Sequence, residues 1–168
     1  MKKILALLLF VCFSYFASAQ ELSFPTEPSE DCGFSLGARG TIKLIPADSG
    51  RYKCSYLKVE PCTEILDLTS TKKLLSAAAA PGTIDFIFTI AFHDGFENKE
   101  DKKYETVLIL KNGREDIIDY KAEIMLKNKK EFEPTSVLFL LPNVLSIEMW
   151  PYPIEMIRLY QFSNNAEL

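Results

Sequence analysis

The sequence predicts an all-β fold with one short helix: an antiparallel β-sandwich of about eight or nine strands, with a closed barrel of lipocalin size as the alternative. Three observations predict it. In the stretch 83–93, Ile84, Phe86, Phe88, Ile90 and Phe92 occupy alternate positions, so in a strand all five side chains leave one face together. Residues 118–126 repeat the pattern, with Ile118, Tyr120, Ala122, Ile124 and Leu126 alternating with Asp119, Lys121 and Glu123. Further short apolar runs are separated by Pro, Gly, Asn and Asp, and no repeat, heptad pattern or dividing linker interrupts them.

The N-terminus is set apart from the fold. Lys2 and Lys3, the apolar run 4–16 and Ala17-Ser18-Ala19 before Gln20 have the layout of a cleaved secretory signal over residues 1–19, and the run is too short for a transmembrane helix. Cys12 follows bulky Phe10 and Val11, without the small residues that precede a lipidated cysteine. A basic start and an Ala-x-Ala site indicate bacterial export, to the periplasm or the medium. The expected organisation is a flexible arm over 20–32, a single sandwich domain over 33–163 and a frayed tail over 164–168. Two of the 19 basic residues leave with the signal, so 17 stand against 23 acidic ones, a net charge of −6. That balance argues against a nucleic-acid or anionic-membrane footprint and suits a basic protein partner.

Within the domain, residues 33–40 read as a loop or edge strand. The runs 41–46 and 51–59, joined by Ala47-Asp48-Ser49-Gly50, read as a hairpin. Residues 63–80 favour the helix: leucines at 66, 68, 74 and 75 and four consecutive alanines, with a start near Asp67 or Thr69 and a stop at Pro81-Gly82. Asn112-Gly113 between 104–111 and 116–127 is the strongest hairpin signal, with Gly113 expected in the left-handed conformation. The segments 131–141, 144–149 and 154–162 complete the set, and the continuous apolar run 137–141 is expected to be covered on both sides. Outside the signal, Cys32, Cys54 and Cys62 allow one disulfide and one thiol. Cys54 with Cys62 closes a short loop; Cys32 with Cys54 ties the N-terminal segment to the hairpin; the sequence does not choose.

No catalytic motif of comparable strength occurs. Ser70-Thr71-Lys72-Lys73 has the S-x-x-K spacing that sets a lysine beside a nucleophilic serine on one helical turn, but neither S-D-N nor K-T-G follows, and Ser70 is more simply a helix cap. His93-Asp94 is the one histidine beside a carboxylate, at a strand end where a polar residue is ordinary. The acidic loop with Asp94, Glu97, Glu100 and Asp101 lacks calcium-loop order and carries Lys99, Lys102 and Lys103. No cofactor or metal is expected. Trp150 and Tyr152, held between Pro151 and Pro153, are the expected binding residues, because rigid amphipathic rings on a loop lose little entropy on docking; the plainer role for Trp150 is a plug of the core. The expectation is a secreted, non-enzymatic protein-binding module, an inhibitor or immunity-type protein being one concrete form. A small-molecule or carbohydrate-binding β protein is the alternative, followed by a small serine hydrolase.

Overall fold

The computed structural model describes residues 25, 27–69, 79–94 and 102–164. It contains ten strands: β1 (Asp31–Ser35), β2 (Ala38–Pro46), β3 (Tyr52–Pro61), β4 (Leu66–Asp67), β5 (Thr83–Asp94), β6 (Lys102–Asn112), β7 (Ile118–Leu126), β8 (Glu133–Thr135), β9 (Leu145–Trp150) and β10 (Ile154–Asn164). The larger sheet runs β3-β2-β5-β6-β9, with β4 beside β5 as its one parallel pair; the smaller runs β1-β10-β7-β8. The two sheets pack face to face as a sandwich and do not close into a barrel.

The central place of β5 follows from its composition. It pairs with β2 from Thr83 to Phe88 and with β6 along its whole length, and β4 takes the same edge as β2 further on, at Ala91 and Phe92. Ile84, Phe86 and Phe88 are buried between the sheets with Leu108 and Leu110 of β6, Phe34 of β1, Ile118, Tyr120 and Ile124 of β7, and Ile157, Leu159 and Phe162 of β10. The Phe34 and Phe86 rings stack at 3.8 Å. Each such side chain contributes roughly 1.5–3 kcal/mol by leaving water. On the other face of β5, Ile87 and Ala91 join Val107, Ile109, Cys62 and Leu66 in a second apolar cluster, because the chain leaving β3 folds over the outside of the larger sheet.

Several expectations need correction. Residues 104–111 and 116–127 are not a hairpin: β6 pairs with β5 and β9, while β7 pairs with β10 and β8 in the opposite sheet. The Asn112-Gly113 corner carries the chain from one sheet to the other. Asn112 is fully buried, its amide nitrogen donating to the carbonyls of Asp116 at 2.9 Å and Leu140 at 3.2 Å, and its Oδ1 accepting from the Arg114 N–H at 2.9 Å. Gly113 is not left-handed; it is glycine because a Cβ there meets the Ala80 carbonyl oxygen at 2.4 Å. The signal was real and its cause was a close approach of two chain segments.

The run 137–141 is not a covered strand. Leu140 alone of its leucines and Phe139 is buried, bridging Ile118, while Leu138, Phe139 and Leu141 are exposed. Where the helix was expected to start, Leu66–Asp67 is β4, and residues 70–78 lie outside the described residues. The arm ends sooner than expected, since Asp31 and Cys32 belong to β1, and β10 extends to Asn164 at the other end. The disulfide is Cys32–Cys54, bridging the two sheets; Cys54 is not bonded to Cys62, which is a buried free thiol. The hairpin of β2 and β3 forms as expected, with Ser49 and Gly50 at φ 61° and 71° in its turn.

Candidate functional site

At one end the two sheets are unequal in length. β5 runs to Asp94 and β6 starts at Lys102, whereas in the opposite sheet β7 stops at Leu126 and β10 starts at Ile154. Strand alternation keeps Ile90, Phe92 and Tyr104 on the core-bearing face, with Ile90 opposite Thr106 and Phe92 opposite Tyr104. They therefore run out past the end of the core. Ile90 and Phe92 are half-buried, Tyr104 is 58% exposed, and the Phe92 and Tyr104 rings lie 6.1 Å apart.

A cleft of 660 Å³ opens at this end, lined by Leu36, Ile90, Pro153, Ile154 and Met156 together with polar residues that include Lys127 and Glu155. The volume lies in the range of ligand pockets, about 300–1,000 Å³. Its Pro153 and Ile154 wall is tied down. The Thr106 hydroxyl donates to the Tyr152 carbonyl at 2.9 Å, and the Ile154 N–H reaches the same hydroxyl oxygen at 3.4 Å, so the proline-framed turn 151–153 is clamped to β6. The structure contains no cis peptide bond among the described residues, so both aromatic-proline bonds are trans.

The two expected binding residues part company here. Tyr152 is 42% exposed, one residue before Pro153 of the cleft wall. Trp150 is 5% exposed, belongs to the core between the sheets, and donates its indole N–H to Thr135 Oγ1 at 3.0 Å. With its ring packed and its one donor used, Trp150 plugs the core and a partner at the surface does not reach it. His93 points to the other face of the larger sheet, its Nε2 3.7 Å from Glu105 Oε1. Ser70, Lys73 and the acidic residues Glu97, Glu100 and Asp101 lie outside the described residues. Among the described residues no group of three His, Cys, Asp or Glu is placed to hold a metal, and no helix is long and apolar enough to cross a membrane.

Two polar clusters escaped the sequence reading. At the far end of the sandwich Arg114 binds Asp116 through Nε at 2.7 Å and Nη2 at 2.9 Å, lies 4.5 Å over the Tyr52 ring, and donates to the Tyr52 hydroxyl at 3.0 Å, which in turn donates to Asp116. The Arg114 hydrogen bonds hold the Asp116 carboxyl below its usual range, and burial raises the Tyr52 phenol. A cleft of 740 Å³ adjoins this cluster. Arg114, Asp116 and the Tyr52 hydroxyl bind one another, so the cluster acts as a clasp on the 112–116 corner. On the outer face of the smaller sheet, Arg158 pairs with Glu123 and lies 4.6 Å over Phe132, and Tyr160 donates to Glu123 at 3.3 Å. The cross-strand pairing of Glu123 with Arg158 sets this group, and no spacing in the sequence reveals a register between strands so far apart.

No family model, curated protein or solved structure matches the chain.

Proposed function

We propose that this protein is an exported, non-enzymatic binding module that holds a protein partner at the open end of its sandwich. One observation carries the reading: inner-face residues of β5 and β6 run out past the smaller sheet, where a cleft walled by Leu36, Ile90, Pro153, Ile154 and Met156 opens and the Tyr104 and Tyr152 rings are exposed. Exposed aromatic rings are common anchors of protein recognition. The signal-like N-terminus motivates export, and the Cys32–Cys54 disulfide is compatible with an oxidising compartment. The acidic balance of the chain suits a basic partner.

The test is site-specific photo-crosslinking in the producing cell, with the probe at Tyr152 and a control probe at Lys53 on the opposite part of the molecule. A discrete protein adduct from position 152, absent from position 53 and lost on adding Tyr104→Ala and Leu36→Ser, is the expected result. Equal labelling from both positions, or none from 152, removes the reading. The cleft volume favours a small-molecule ligand as the second reading. A Tm that rises with the concentration of a lipid or glycan, and fails to rise in the Tyr104→Ala variant, is its mark.

A further inference from the structure

We infer that the protein self-associates through β9, forming a two-fold dimer in which the larger sheets of two copies join edge to edge. Among the described residues β9 is an edge strand, hydrogen-bonded to β6 on one side only. An uncovered edge presents a row of unpaired N–H and C=O groups, the template for another strand. This edge is also apolar along its outer face. Leu145, Ile147 and Met149 share the face of Lys111, Ile109 and Val107, their partners on β6, and Met149 is 52% exposed. In the segment leading into β9, Leu138, Phe139, Leu141 and Val144 are exposed by between 41% and 66%, so with Met149 five of the ten large exposed apolar residues among the described residues lie in this strand or just before it.

A second copy of this chain fits the strand because its sequence reads favourably against itself. In an isologous antiparallel pair the residues opposite each other lie on the same face, so the two-fold axis must pass beside a residue. Centred on Ile147, the pairing sets Ile147 against Ile147 and Leu145 against Met149, all apolar, while on the inner face Glu148 meets Ser146. Centred on Glu148, it sets carboxylate against carboxylate, which opposes pairing. Centred on Ser146, it leaves Met149 beyond the overlap and sets Glu148 against Val144. Glu148 thus selects one register. Its carboxylate is already anchored within its own chain, accepting the Leu138 N–H at 2.8 Å, and this contact seals the inner side of the edge without occupying the backbone of β9.

β9 offers only six residues to the pairing, so the dimer is expected to dissociate on dilution. Because β9 leads directly into Trp150 and the 151–153 turn, antiparallel joining puts the two clefts at opposite ends of the dimer. The smaller sheets lie on the same side, and the five-strand path of the larger sheet becomes a continuous path of ten.

The test is oxidative crosslinking of single-cysteine variants in a Cys62→Ala background, the Cys32–Cys54 bond left in place. Ser146→Cys, Ile147→Cys, Glu148→Cys and Met149→Cys are compared under copper-phenanthroline, alongside sedimentation of the parent from 1 to 300 μM. Expected are a rise in mass from monomer toward dimer with concentration, and covalent dimer from Ile147→Cys alone, since only that residue faces its own copy. Ile147→Pro, which removes a donor and a side chain from the edge, should leave a monomer at all concentrations with its circular dichroism unchanged; Ile147→Lys serves if the proline variant does not fold. A parent that stays monomeric, a crosslink strongest at Glu148→Cys, or equal crosslinking at all four positions overturns the inference.

Discussion

Tyr120→Phe removes one oxygen from the middle of the sandwich and is expected to make the protein more stable. Tyr120 is 4% exposed, its ring stacks with Phe162 at 6.0 Å, and its hydroxyl has no hydrogen-bond partner among the described residues. A buried hydroxyl left unpaired costs roughly 1–3 kcal/mol relative to its hydrated state in the unfolded chain. Deleting it leaves a void of roughly 10–15 Å³, which at about 24 cal/mol per Å³ returns only ~0.3 kcal/mol. The net expectation is a gain of about 1–2 kcal/mol, or a Tm higher by about 2–4 °C per kcal/mol for a chain of this size. Urea unfolding followed by the fluorescence of Trp150, the one tryptophan, reads it directly, with an unchanged m-value. The same residue sets an alkaline limit. Burial, then the charges of Glu148 and Asp119, push the Tyr120 phenol well above its ordinary value. A group whose folded pKa is raised contributes stability that is whole below the unfolded pKa, about 10, and drains away above it. Between pH 9 and 11 the parent should lose about 1.4 kcal/mol more than Tyr120→Phe. A variant destabilised by 1 kcal/mol or more at pH 7 refutes the first part by showing that the hydroxyl is satisfied, and an identical alkaline slope refutes the second by showing that the folded phenol ionises as readily as in water.

Replacing both Cys32 and Cys54 by Ala should cost about 3 kcal/mol, the loop entropy of a 22-residue separation, measured by urea unfolding; Cys62 should react with a thiol reagent only as the protein unfolds. Asp116→Asn breaks the clasp on Arg114 and Tyr52 and should cost about 1–2 kcal/mol at pH 7. Because the folded Asp116 carboxyl is depressed, its contribution is present above the unfolded pKa of about 4 and is lost as pH falls toward the folded value, so parent and variant should converge in acid titrations below pH 4. Gly113→Ala drives a methyl group against the Ala80 carbonyl oxygen, 2.4 Å away, and should cost roughly 1–3 kcal/mol in thermal unfolding; a variant that unfolds at the parent's temperature is the opposing outcome.

Much of the candidate end of the molecule was legible in residue types and little of it in position. Tyr152 was found because prolines on both sides advertise a rigid exposed ring, and it is indeed exposed. Trp150 carried the same advertisement and is buried, because the next residues turn away while its own strand pairs with β6 and sets the indole between the sheets. That Leu36 and Ile90 would line a cleft and Tyr104 stand exposed near it was not legible, since nothing in a strand's own sequence says where the strand facing it stops.

Local periodicity, then, determined the element type of the alternating segments: side chains two apart leave the same face, so the strands β5 and β7 need no knowledge of the rest of the chain. Pairing is a property of two segments, and only the tertiary structure decided it. Asn112-Gly113 looked like a turn between neighbours and is a corner between sheets, because a buried asparagine with three hydrogen bonds and a backbone contact at Ala80 hold it there. The open cleft and, among the described residues, the free edge of β9 are of the same kind, since each exists where one strand outlasts or lacks its neighbour.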